Sequence, residues 1–132
     1  MSKTVIYTAN APAPIGPYSQ AIVANGVLYT SGQIAIVPES GALLIEEIRA
    51  ETEQVMENVK AVVEAAGYTL NDVVKASIFL SNMDDFPLVN EVYGRYFSGE
   101  APPARETVQV ARLPKSVNVE ISVIAVKGSK IV

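Results

Sequence analysis

The chain has 132 residues, 49% of them apolar and 18% charged, with a net charge of −4 and a mean hydropathy of +0.26. That length suits one domain and is short for two, and the charge argues against a polyanionic partner, because nucleic-acid affinity rests on Lys and Arg neutralising phosphates. Cysteine and histidine are both absent, which excludes disulfides, thiolate catalysis, Ser-His-Asp hydrolysis and nearly every zinc site.

A short first strand is predicted at residues 4–7. Residues 11–17 come next with three prolines and a glycine, and read as an extended loop or tight turn. Two apolar runs, 18–24 and 27–31, flank Asn25-Gly26 and make the strongest local signal, a hairpin whose turn requires positive φ at both central residues. Gly32 ends the second strand, and residues 33–37 stay mostly apolar until the turn at 38–41. Apolar residues at 48, 55, 59, 62 and 66, widened by Met56 and Val63, predict an amphipathic helix over 48–66 that stops at Gly67. Glu46, Glu47, Glu51 and Glu53 load its start with the charge that the positive end of a helix dipole favours.

A strand at 73–80 is followed by Asp84 or Asp85 as N-cap and Pro87 in the first turn of a second helix. That helix reaches about residue 97, with Phe86, Val89, Tyr93, Tyr96 and Phe97 on one side. Strands at 105–110 and 117–126 complete the order β-β-β-α-β-α-β-β. The pattern predicts an α+β fold, a mixed or mostly antiparallel sheet with two helices packed on one face, and one domain over residues 1–132. The other face then needs cover, and the apolar excess points to identical copies as its source, hence a homo-oligomer. The ten basic residues are scattered, and no Asp/Glu cluster has the spacing of metal ligands. No leader pattern opens the chain and no apolar run reaches the roughly 20 residues that span a bilayer, so a cytoplasmic location without membrane association is expected.

The richest stretch for chemistry is Ala101-Pro-Pro-Ala-Arg105 together with the strand it leads into. Two prolines shape the backbone before that strand, in which Arg105, Thr107 and Gln109 share one face. An arginine held there presents a fork of donors suited to the carboxylate of a small organic acid, or else it pairs with Glu100 or Glu106. Glu120 lies in a strand where Asn118, Glu120 and Ser122 share a face; it either sits on a wet face or orients a water for attack. Tyr18 belongs to the core or closes a pocket. Ser31 and Gly32 end a strand where an unused N–H is available to a ligand. Asn90, mid-helix, is expected to point to solvent.

Taken together, Ile15-Gly-Pro-Tyr-Ser-Gln20, Thr30-Ser-Gly-Gln33, Asn58-Val-Lys-Ala-Val-Val-Glu-Ala-Ala-Gly67, Pro103-Ala-Arg105, Val110-Ala-Arg-Leu-Pro114 and Val119-Glu-Ile121 closely resemble the RidA family, also called YjgF. The likeness spans essentially the whole chain. It implies a homotrimer of chorismate-mutase-like (YjgF-type) α+β domains with ligand clefts between subunits. The implied activity is hydrolytic deamination of reactive 2-imino or enamino acids, 2-iminobutanoate and 2-iminopropanoate, to 2-keto acids and ammonia. It needs no cofactor or metal, and pyridoxal-phosphate-dependent dehydratases supply the substrates. By the resemblance Arg105 binds the carboxylate and Glu120 positions the water. Tyr18, Ser31 and Asn90 line the pocket, and Gly32 and Thr107 turn backbone groups to the ligand. Many members carry cysteine where this chain has Thr107, and Glu106 beside the arginine is less usual. A keto-acid-sensing trimer without turnover is the alternative; a ribonuclease or translation inhibitor sits badly with the charge and the missing histidine.

Overall fold

The computed structural model describes residues 2–132. Eight regular elements succeed one another in the predicted order: β1 (Thr4–Ile6), β2 (Ala21–Ala24), β3 (Val27–Thr30), α1 (Ile48–Ala65), β4 (Val73–Leu80), α2 (Phe86–Tyr96), β5 (Ala104–Gln109) and β6 (Val119–Val126). The strands form one six-stranded sheet in the order β1-β2-β3-β6-β4-β5. Only the β4–β5 pair is parallel, as its crossover through α2 demands. The architecture is therefore the expected α+β one, with a mixed sheet.

Asn25 and Gly26 adopt φ of 53° and 75°, the left-handed pair that a two-residue hairpin between β2 and β3 requires. Helix α1 ends as anticipated: Gly67 and Tyr68 donate back to the carbonyls of Glu64 and Val63. Its start differs from a plain acidic turn. The side chain of Glu47 is the N-cap, accepting from the Ala50 N–H at 2.6 Å, whereas Glu51 turns inward and is fully buried. Asp85 stands at the N-cap of α2 without a side-chain capping bond; Asn82 instead caps the preceding turn, accepting from the Asp84 N–H at 2.9 Å.

Both helices cover one face of the sheet. Val55, Met56, Val59, Val62 and Val63 of α1 and Val89 and Tyr93 of α2 pack on Leu28, Ala76, Ile78, Leu80, Val119, Ile121 and Val123. Each such aliphatic side chain contributes about 1.5–3 kcal/mol by leaving water. The opposite face is covered only at one end, by the chain's own loops: Ile34, Leu113 and Val117 pack with Ile36, Leu43, Ile45, Phe79 and Val110. The mostly apolar residues 33–37 form isolated bridges in this region, Gln33 to Ile121 and Ile36 to Leu43. A boundary differs from the sequence pattern: Val117 joins the loop cluster, so the last strand begins two residues later. Among the described residues no helix is long and apolar enough to cross a membrane.

Candidate functional site

β5 is an edge strand, and its register sets which side chains share a face. Arg105, Thr107 and Gln109 pair with Ala76, Ile78 and Leu80, all buried beneath the helices, so these three polar residues lie on the helical face at the open edge. Phe86, Asn90 and Tyr93 fall on one side of α2, at spacings of four and three. The guanidinium of Arg105 rests between the rings, 5.3 Å from the centre of Phe86 and 4.9 Å from that of Tyr93. Its Nη1 donates to Asn90 Oδ1 at 2.7 Å.

Asn90 is exposed, as expected of a mid-helix amide, and its side chain also orients the arginine. Arg105 has no ion-pair partner among the described residues. The acid next to it, Glu106, points to the other face, where it binds Lys75 at 3.2 Å and accepts from Ser77. A cation gripped on one edge, stacked on two rings and left without a counter-charge is prepared for an anionic ligand. Beside it, Thr107 Oγ1 and the Tyr93 hydroxyl are buried without hydrogen-bond partners. Burial pushes the Tyr93 phenol up, with Arg105 opposing that shift.

Glu120 lies on the opposite face, paired with Phe79 on β4. It lines a small cavity of ≈ 70 Å³ with Tyr18, Gly32, Gln33, Pro114 and the 12–15 loop. That is room for ordered water beside the carboxylate, at about 10–15 Å³ of such space for each molecule. Burial holds the Glu120 carboxyl above the usual carboxylate range. Gly32 leaves the room that the Glu120 side chain occupies: a Cβ there would stand 2.5 Å from Glu120 Oε2 and 2.6 Å from its Cδ, so the carboxylate would have to shift. Gly32→Ala is therefore expected to drive the carboxylate toward solvent and lower its midpoint toward the ordinary value of about 4.3. A side-chain carboxyl NMR titration of the two proteins checks it.

Two expected residues remain, Tyr18 and Ser31. Tyr18 is not core: it is 49% exposed in the wall of the Glu120 cavity, and its hydroxyl accepts from the Ile15 N–H at 3.3 Å. The Ser31 N–H is not free: it donates to the Gln20 carbonyl at 2.9 Å, while Ser31 Oγ donates to the Ser19 carbonyl at 2.5 Å. Gln20, which no local sequence signal marks, is buried and organises the proline loop. Its amide donates to the carbonyls of Thr8, Ala11 and Pro12 and accepts from the Thr8 N–H.

The structure thus brings the candidates together as two groups, Arg105–Asn90–Thr107 and Glu120–Gly32–Tyr18. Arg105 lies two strands and three residues from Glu120, roughly 14 Å along the sheet at about 4.8 Å per strand and 3.3 Å per residue, and on the other side of it. One group can hold a carboxylate; the other can take a proton from a water. Two roomier clefts, each ≈ 600 Å³, contain neither Arg105 nor Glu120: one runs along α1 past Gln54, Glu57 and Lys60, the other lies under Ser129–Ile131.

The sequence model of a family described as endoribonuclease L-PSP matches residues 8–127. A RutC family protein of Pyrococcus horikoshii is 55% identical, over 95% of this chain and 98% of its own. The 2-iminobutanoate/2-iminopropanoate deaminase of Salmonella typhimurium is 47% identical, over 96% of this chain and 99% of its own. Among solved structures, E. coli TdcF with bound serine superposes with a TM-score of 0.90 at 41% identity, covering 95% of this chain and 99% of that one.

Proposed function

The chain belongs to the endoribonuclease L-PSP family, and from that premise we propose that it is a hydrolytic deaminase, converting 2-iminobutanoate and 2-iminopropanoate to 2-keto acids and ammonia. The observation that carries the reading is the oriented, unpaired guanidinium of Arg105, fixed by Asn90 and two aromatic rings. Such a fork binds the acid end of a 2-imino acid in two parallel hydrogen bonds. The substrate class agrees with the name of the Salmonella relative and with the small amino acid bound to the E. coli one.

The reaction asks little else of the protein. The carbon of a protonated imine is already electrophilic. Glu120, as carboxylate, takes a proton from a water whose oxygen adds to that carbon, giving a carbinolamine. The proton then passes to nitrogen, and as the C–N bond breaks Glu120 takes the hydroxyl proton, so that the carbonyl forms and ammonia leaves, the last proton going out with it as ammonium. A carboxyl raised by burial suits both halves of this exchange better than an ordinary one, because it holds the proton it has taken. No histidine, cysteine or metal is called for. Despite the family's description, a ribonuclease reading finds no support in a chain of net charge −4 without histidine.

Because the acid-binding group and Glu120 occupy opposite faces of the sheet, the working site takes Arg105 from one copy and Glu120 from a neighbour. We place it at the interfaces of a homotrimer of single-domain chains. Co-expression tests this directly. Arg105→Ala and Glu120→Gln, each inactive alone, are expected to regain about a quarter of wild-type activity when co-assembled. Random mixing puts an intact Arg105 opposite an intact Glu120 at about one interface in four. No recovery in verified mixed assemblies overturns the shared site.

A further inference from the structure

Resting on the proposed role of Glu120, we infer that Glu51 is a positioning residue for the reaction, acting through Asn118 on the strand that presents Glu120. Glu51 is the one fully buried carboxylate among the described residues, 0% exposed, and no cation pairs with it. Its charge is met instead by three donors from the entry to β6. Oε2 accepts from the Asn118 N–H at 2.8 Å and the Val119 N–H at 3.2 Å, and Oε1 accepts from Asn118 Nδ2 at 2.7 Å. A buried carboxylate compensated only by hydrogen bonds is costly to disturb, since losing them strands the charge.

Asn118 is held from the other side as well. Its carbonyl accepts from the Ser81 N–H at 3.0 Å, just past the end of β4, and its Oδ1 accepts from Ser81 Oγ at 3.4 Å. The neighbouring Leu80 carbonyl accepts from the Val110 N–H at 2.9 Å, beyond the end of β5. One cluster therefore joins α1 to the same ends of β6, β4 and β5, the strands that carry both functional groups. Glu120 stands two residues into β6 from Asn118. It is seated against Gly32 with no slack for a methyl group, while Gln33 and Ile121 exchange both backbone bonds at 2.8 and 3.1 Å. A small slip at Asn118 moves the carboxylate relative to Gly32. Displacements of about 1 Å at a reacting group cost on the order of 100-fold in rate.

The test compares Glu51→Gln, Glu51→Asp and Val62→Ala. Glu51→Gln keeps the shape but turns an amide N–H toward one of the donors. Val62→Ala loosens the buried side of the same helix without touching Asn118. Below the melting temperature of every variant, Glu51→Gln is expected to lower kcat by about 10- to 100-fold with 2-oxobutanoate affinity unchanged. The acid limb of its pH profile moves with the Glu120 midpoint read by carboxyl NMR. Glu51→Asp recovers part of kcat, and Val62→Ala lowers stability with kcat retained. An unchanged Glu120 midpoint in Glu51→Gln overturns the inference, as does an equal kcat loss in Val62→Ala. The NMR midpoint reads this coupling even if wild-type protein releases no ammonia, an outcome that would defeat the deaminase reading alone.

Discussion

Arg105→Ala is expected to lower kcat/KM for 2-iminobutanoate by at least about 100-fold while leaving the fold intact. Each charge-assisted hydrogen bond to the acid contributes about 1.5–3 kcal/mol, and about 1.4 kcal/mol corresponds to tenfold, so losing two exceeds that bound. The side chain is exposed, and its removal strands no buried charge: its protein contacts are the Asn90 amide and the faces of Phe86 and Tyr93. Thermal stability should therefore stay within about 0.5 kcal/mol of wild type. Arg105→Lys should recover little, because a point charge reproduces neither the planar fork nor the stacking. The measurement is turnover of freshly generated 2-iminobutanoate against semicarbazide competition, with 2-oxobutanoate binding by calorimetry. Turnover near wild type in Arg105→Ala removes the deaminase proposal.

Glu120→Gln should fail in a different step. Removing a positioned base costs about 10²- to 10⁴-fold in rate, yet the acid is held by Arg105, so 2-oxobutanoate affinity should persist. Stability moves the other way, and its sign comes from the raised midpoint. The folded state holds the Glu120 proton more tightly than the unfolded chain does, so the carboxyl favours folding below the unfolded midpoint near 4.3. That contribution disappears as pH rises through the higher folded one. Above that folded midpoint the wild type carries a half-buried charge that glutamine does not. Glu120→Gln should melt higher than wild type above the midpoint, with the difference shrinking as pH falls through it. Loss of keto-acid binding, or a lower melting temperature above the midpoint, assigns Glu120 a different role.

Much of this fold is written in local chemistry. The Asn25-Gly26 turn, the apolar stripe of α1 with its Gly67 stop, and the alternation of β5 are each dictated by residues close in sequence, and each forms accordingly. The features that are not legible in this way depend on partners far apart in the chain. Asn90 reads as a solvent-facing amide because its use appears only when β5 packs against α2. Phe86 and Tyr93 read only as part of one apolar side of the helix, although their spacing with Asn90 is a sign of one shared surface. Ser31 reads as a free donor, and only the fold brings the Gln20 carbonyl to it. Glu51 reads as one of several acids favouring a helix dipole, and nothing local tells that its carboxylate faces inward to Asn118. The opposed facing of Arg105 and Glu120 needs the strand order, which no single segment contains.

A single chain holds Arg105 and Glu120 on surfaces turned away from each other, so on the proposed shared site it would be silent alone. Catalytic capacity in a cell would then track completed assemblies, not polypeptide made, and dilution would silence it without unfolding anything.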